Sequence, residues 1–285
     1  MPGLDLRETL QRAKAAAIAQ VHEARLSLLP AAAKAPPHGL PGRLVVSLTS
    51  FHARFHTLHL TLRSLLQQSI KPDEVVLWVG HGDFDRLPKK VLDLQSHGLT
   101  IRTCEDIRSY TKIIPSLRAY PDAFIVTADD DVYYWNDWLK ELVESYDPAT
   151  RLIPCHRCHL IRTDAEGLPL PYLQWELQLD RPLSSALVFV TGVGGVLYPP
   201  GSLHPQVLDE AQFRSLCPTT DDVWLYWMAR RAGWEFRQIG RRRRVLNWNG
   251  SQKMSLMATN VPEGGGNDQQ LGNLIRAYTW PPVSA

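Results

Sequence analysis

Three consecutive carboxylates, Asp129, Asp130 and Asp131, follow an apolar run at 123–128 in a chain of 285 residues. Adjacent acids repel, and a cation, backbone N–H donors or protonation must relieve the repulsion. Side chains alternate in extended backbone, so Asp129 and Asp131 are expected on one side and Asp130 on the other. Two carboxylates on one side suit Mg2+ or Mn2+, which take one or two protein acids and complete their shells with water and phosphate oxygens. A solvated acidic turn capping the next helix is the alternative. A second pair, Asp221 and Asp222, opens a helical segment. Negative charge there is favourable by about 0.3–1 kcal/mol, and the same placement suits a general base.

Such acids need a frame. From residue 43 onward, short β-branched runs alternate with helical ones, the pattern of an α/β domain with a mostly parallel sheet covered by helices on both faces. Strands are predicted at 44–48, 74–79, 99–104 and 123–128, the last a continuous apolar run suited to a sheet centre. Leu58, Leu62, Leu65 and Leu66 stripe the first crossover helix, and Trp135, Leu139, Leu142, Val143 and Tyr146 a later one. Ligands of open α/β sheets lie outside the carboxyl ends of strands, where the three acids stand. The second half reads as strands near 152–161 and 187–198, helices near 205–216 and 222–232, and a terminal helix after Asn267. Ahead of the domain (43–285), residues 4–29 predict a helix, with Asp5 and Glu8 as a capping signal and Leu6, Leu10, Ala13, Ala17, Val21, Ala24 and Leu28 as its apolar stripe. A proline-rich linker closes this N-terminal unit (1–42).

Composition narrows the classes. With 44% hydrophobic and 21% charged residues the chain buries a substantial core, and 31 basic against 29 acidic residues, net +2, give no bulk signature of a nucleic-acid partner. The least polar stretch, 186–198, contains Thr191, Gly192, Gly194 and Gly195 and falls short of the roughly 18–20 apolar residues of a spanning helix. The N-terminus does not read as a secretion signal, and the four cysteines are too few for a disulfide scaffold, so a cytoplasmic location with free thiols is expected. The N-terminal helix is expected to pack on the domain or on a second copy as a homodimer, with peripheral membrane contact as the other reading. Cys155, Cys158 and His159 spell a haem-attachment pattern in a stretch that reads as strand, and coincidence is the expectation.

Four segments, VVSLTSFHARFHTLHLTLRSLLQQSIKPDEVVLWV, FIVTADDDVYYWNDWLKEL, TGVGGVLYPPGSL and TTDDVWLYWMARRAGW, occur in this order over most of residues 43–280. In this the chain resembles nucleotide-sugar-dependent glycosyltransferases of the GT-A (Rossmann-like) fold, in particular the family 2-like bacterial polysaccharide enzymes of capsule or O-antigen type. The resemblance implies that Asp131 binds the Mn2+ or Mg2+ bridging the donor diphosphate, while Asp129 addresses the metal or the ribose and Asp130 stands in for either. It implies that Asp222, followed by a helix ending at Gly233 and Trp234, is the base if the transfer inverts, with Asp221 orienting it or touching the acceptor, whereas a retaining course needs no base. It places nucleotide contacts at Thr49, Ser50 and Arg54 and at Asp83 or Asp85.

Lesser expectations attach to other residues. Lys112 reaches a diphosphate or is a surface lysine. Gly192, Gly194 and Gly195 line the acceptor or pack a strand, and Trp175, Trp224 and Trp227 stack on sugars or fill the core. Arg241–Arg244 attracts an anion or is a solvated edge. The further metal-binding histidine of many GT-A enzymes is missing from 247–253, leaving Asn267 and Asp268 as substitutes. The expected partners are a nucleotide sugar and a glycan or lipid-linked acceptor. A nucleotidyltransferase is a rival, although 47–54 lacks a glycine-rich phosphate loop, and a glycan-binding module without turnover is the non-enzymatic one.

Overall fold

The computed structural model describes residues 6–28, 34–251 and 265–280, with side chains from residue 16. Eight strands form one sheet in the order β3-β2-β1-β4-β9-β5-β10-β7. These are β1 (Leu44–Ser50), β2 (Glu74–Gly80), β3 (Leu99–Cys104), β4 (Phe124–Thr127), β5 (Leu152–Cys155), β7 (Leu183–Ser185), β9 (Val196–Tyr198) and β10 (Glu235–Gln238). Neighbours β3, β2, β1 and β4 run parallel. So do β5 and β10, whereas β9 is antiparallel to both β4 and β5, and β7 is antiparallel to β10. The sheet is therefore mostly parallel, with β9 joining its two halves.

Burial follows the pleat. Val46, Leu48, Phe124 and Val126 face α2 (Phe55–Leu66) and α5 (Trp138–Glu144), whose Leu58, Leu62, Leu65, Leu139 and Leu142 complete that core. On the opposite face Ile125 packs with residues of α4 (Ile114–Ala119), α7 (Asp221–Arg231) and α8 (Gly266–Tyr278). Helices thus cover both faces, as a parallel sheet requires. Strand β2 lies on one side of β1 and β4 on the other, with Ser47 opposite Thr127. The crevice beyond the ends of β1 and β4 is the switch point where such sheets bind ligands.

The two long strands expected in the second half are each broken. Residues 152–161 divide into β5 and β6 (Cys158–Leu160) around a corner at His156 and Arg157, and 187–198 divide into β8 (Val188–Val190) and β9. Strands β6 and β8 pair in a separate two-stranded ribbon, Cys158 opposite Val190. Between β8 and β9 the chain turns through Gly194 and Gly195, at φ of 110° and 102°. A Cβ on Gly195 would lie 2.5 Å from the Trp138 indole, whose N–H donates to the Gly194 carbonyl at 2.6 Å. Tight indole packing thus accounts for Gly195. Trp175, Trp224 and Trp227 are all core residues. The haem-like pattern is structural: His156 Nε2 donates to Trp138 O at 3.0 Å, and His159 Nδ1 accepts from Gln178 N at 2.7 Å. Burial and, for His159, Arg157 push the two rings down to about 4 and about 3.

Helix α1 (Leu6–Leu28) rests on the domain, but by another face than its hydrophobic spacing predicts. Val21 and Leu28 are 67% and 86% exposed, while Ala19 and Leu26 are buried against Leu60 and Trp248. The His22 ring stacks 3.9 Å from Tyr133, and Arg63 donates twice to the Leu26 carbonyl. Ring stacking and a charge-assisted helix end select the face that a weak alanine-rich stripe does not. Among the described residues no helix is long and apolar enough to cross a membrane.

Gly195→Ala should lower stability by about 2 kcal/mol or more, read as a fall in the denaturant midpoint, because the methyl meets the indole on a left-handed backbone.

Candidate active site

At the crevice the three acids are held by their backbone as much as by their side chains. Strand β4 ends at Thr127, and Asp129 N donates to Tyr134 Oη at 2.7 Å. The Thr61 hydroxyl of α2 lies within hydrogen-bond distance of the carbonyls of Asp130 (2.9 Å) and Val132 (3.0 Å) and accepts from the Trp248 indole at 2.8 Å. The Trp248 backbone N–H donates to the Asp131 carbonyl at 3.1 Å.

Because the trio lies past the strand, simple alternation does not sort it. Arg54 lies 2.7 Å from Asp130 Oδ1 and 3.4 Å from Asp131 Oδ2, so Asp131 shares its cation with Asp130 and not with Asp129. Ser50 donates to Asp130 Oδ2 at 2.6 Å. Burial raises the Asp130 carboxyl, with Arg54 and Ser50 opposing. Burial and then the charges of Asp129 and Asp130 push Asp131 up to about 7, Arg54 offsetting only part.

Asp129 meets a second cation. Lys112 closes the 3-10 turn Arg108–Lys112, and its Nζ sits 3.5 Å from Asp129 Oδ1 and 3.0 Å from Asp221 Oδ2. It is buried, so the surface reading is corrected. Its backbone is pinned to the sheet by Ser47, which donates to the Lys112 carbonyl at 2.6 Å, within 2.7 Å of Ser116 Oγ. Burial disfavours the ammonium, yet Asp221, Asp129 and Asp222 overcome it and hold Lys112 well above its ordinary value.

The second acid pair starts α7. Gln270 of α8 fixes the approach: its Oε1 accepts from Thr219 N and Thr220 N, and its Nε2 donates to both threonine hydroxyls. Asp222 Oδ1 accepts from Gly192 N at 2.9 Å. A Cβ on Gly192 would fall 2.5 Å from Lys112 Nζ and 2.9 Å from Asp222 Oδ1, so a bare backbone is needed there. Asp222 keeps some solvent exposure while protein surrounds its carboxylate. Burial and then Asp221 raise it well above the usual carboxylate range, against Lys112 and the Gly192 N–H. A carboxyl both reachable and desolvated has the character of a general base near neutral pH.

The structure thus brings Ser50, Arg54, Lys112, Asp129, Asp130, Asp131, Asp221 and Asp222 into one continuous network. Thr49 and Asp83 stand beside it. The Thr49 hydroxyl donates to the Trp78 carbonyl at 3.0 Å, and Asp83 accepts from His52 N at 3.1 Å and lies 2.9 Å from His52 Nδ1. Arg241–Arg244 is an exposed edge, where Arg243 pairs with Glu141 and lies 4.6 Å over the Trp135 ring. Asp268 accepts from Tyr172 N at 2.7 Å and anchors a loop. Sequence reading did not single out Ser47, Gln270 or Tyr134, whose polar groups act through contacts distant in the chain. Only Tyr134, five positions beyond Asp129, left a local trace.

No protein-family model and no curated protein matches the chain. Among solved structures it is similar to the mannosyltransferase PcManGT from Pyrobaculum calidifontis, solved in complex with GDP-Man and Mn2+, at 18% identity and a TM-score of 0.35. The alignment covers 52% of this chain and 44% of that one, less than half its length.

The raised Asp131 carboxyl has a stability signature. Its folded value, about 7, lies above the ordinary 3.8, so ionising it opposes folding increasingly as pH rises from about 4 and levels off beyond about 7. In metal-free buffer, the stability of Asp131→Asn relative to the native protein should therefore climb across that window and then plateau. A difference independent of pH would mean that Asp131 ionises freely.

Proposed function

We propose that the protein is a glycosyltransferase of the GT-A type, family 2-like, which moves a sugar from a nucleotide-diphosphate donor to a glycan or lipid-linked acceptor with inversion. The observation that carries this reading is the junction at Lys112, which lies 3.5 Å from Asp129 and 3.0 Å from Asp221 and so ties the acids beyond β4 to those opening α7. Transfer from a diphosphate donor needs a cationic site for the leaving group and, close by, a separate base for the nucleophile.

Five carboxylates, Asp129, Asp130, Asp131, Asp221 and Asp222, face the two cations Arg54 and Lys112. The excess negative charge and the hard oxygen donors of Asp131 and Asp129 fit Mn2+ or Mg2+. Among the described residues no group of three or more His, Cys, Asp or Glu side chains is placed to hold a metal, so water and diphosphate would complete the shell. Once bound, the cation would neutralise charge developing on the departing diphosphate. Arg54 and Ser50 hold Asp130, and through Arg54 the neighbouring Asp131, in position. Asp222, fixed by Gly192 N, takes the proton of the acceptor hydroxyl as its oxygen bonds to the anomeric carbon, and the anomeric C–O bond breaks with its electron pair leaving on the diphosphate. Lys112 limits the charge on the Asp221–Asp222 pair without closing a bond to Asp222 itself. Thr49 and Asp83, at the ends of β1 and β2, border the nucleotide end of the crevice in this reading. A cytoplasmic enzyme, where nucleotide sugars are available, is part of the same proposal.

Calorimetry with a panel of nucleoside diphosphates, with and without Mn2+, should find one nucleotide whose binding needs the metal and is lost in Asp131→Ala; equal binding in that variant would remove Asp131 from the site. Asp222→Asn should keep donor affinity and lower kcat by about 10²-fold or more. Near-native transfer by this variant would retire Asp222 as base, and nucleotidyl transfer instead of glycosyl transfer would favour the rival enzyme class.

A further inference from the structure

One cation near Asp222 has no part in the network above. Arg157 stands at the corner between β5 and β6, opposite the end of β8. Its side chain is half-buried, yet no carboxylate among the described residues lies within ion-pair distance of it. Among the described residues its one side-chain hydrogen bond is from Nη1 to Thr191 Oγ1 at 2.8 Å. A guanidinium has five N–H donors in a planar fork that matches a carboxylate or phosphate. The remaining donors of Arg157 are not sealed from solvent. Burial pulls its value down, with Tyr172 and Asp222 the largest opposing influences.

Structural duty at this corner falls on the backbone. The Arg157 carbonyl accepts from both Thr191 N and Thr191 Oγ1 at 3.2 Å, contacts that any residue would supply. Thr191 immediately precedes Gly192, whose N–H holds Asp222. The guanidinium is thus positioned one residue from the strut of the base. Tyr172 packs against the same corner, its ring 5.6 Å from His159 and 6.3 Å from Phe189, and burial and Asp222 raise its hydroxyl to about 12 with Arg157 opposing. The donor-side acids pair with other cations, Asp130 and Asp131 with Arg54 and Asp129 with Lys112.

We propose that Arg157, with Thr191 and the Tyr172 hydroxyl, forms an anion subsite for the acceptor, so that the accepting sugar carries a carboxylate or phosphate group beside the hydroxyl that reacts. The inference rests on Asp222 marking the acceptor side. An anion there supplies a charged partner for a half-buried guanidinium, in the bidentate geometry that Arg favours over Lys. A neutral sugar leaves it unpaired, so the site selects as well as binds.

Saturation-transfer NMR on the full chain, with methyl β-glucuronide, glucose 6-phosphate and methyl β-glucoside as probes, tests this without relying on turnover. The native protein should bind at least one anionic probe about tenfold or more tightly than the glucoside. Inorganic phosphate should compete with that probe. Arg157→Gln should abolish the preference, and Arg157→Lys should restore only part of it. Nucleoside diphosphate affinity, measured in parallel by calorimetry, should not change in either variant. Equal binding of anionic and neutral probes by the native protein overturns the subsite, as does a preference that survives in Arg157→Gln. A loss of nucleoside diphosphate affinity in the variants assigns Arg157 to the donor and overturns it too. If Arg157→Gln fails to fold, the native preference and the phosphate competition still decide. Absence of any nucleotide binding, with the anion preference intact, would sink the glycosyltransferase reading and leave the anion site standing.

Discussion

The site depends on a buried ammonium that cannot leave. Lys112 is shut inside the protein and is stabilised only because Asp129 and Asp221 lie within 3.5 and 3.0 Å. Taking either partner away would strand a charge in low dielectric, a change usually worth several kcal/mol. The end of β4 and the start of α7 are thereby held at a fixed separation. Ser47 secures the lysine from the sheet and Gly192 leaves it room, so the sheet centre, the β8–β9 turn and α7 meet at one charged atom.

This explains which parts of the fold were legible in the sequence. Strands β1 to β4 and their crossover helices were readable because each is buried on both faces or striped on one, and a single hydrophobic period decides them. The breaks after Cys155 and Val190 were not. Residues 152–161 carry His156, Arg157 and His159 among apolar neighbours and 187–198 carry Thr191 and three glycines, and the turn in the second segment is packed by the Trp138 indole against Gly195 from a helix far away in sequence. The seating of α1 was misjudged for a related reason: a stack of His22 on Tyr133 and an anchor from Arg63 outweighed an alanine-rich stripe.

The acidic residues were legible by type and by position at element ends, since charge in the middle of an apolar pattern is visible in one dimension. Their grouping was not. Arg54 pairs with both Asp130 and Asp131 while Lys112 takes Asp129, and those cations come from elements distant in sequence. A neutral glutamine, a serine under the sheet and a tyrosine hydroxyl do the aligning, and none of these types stands out in a polar stretch. Arg157 was masked in turn by the cysteines and histidines around it, which suggested a different chemistry.

Gln270 closes on Thr219 and Thr220 from a helix built out of residues near the far end of the chain. The start of α7 therefore stays unaligned until a segment fifty residues further along the chain has folded against it. The trio too draws on later chain, since the Trp248 N–H holds the Asp131 carbonyl, so neither acid cluster is set before the fold closes over both.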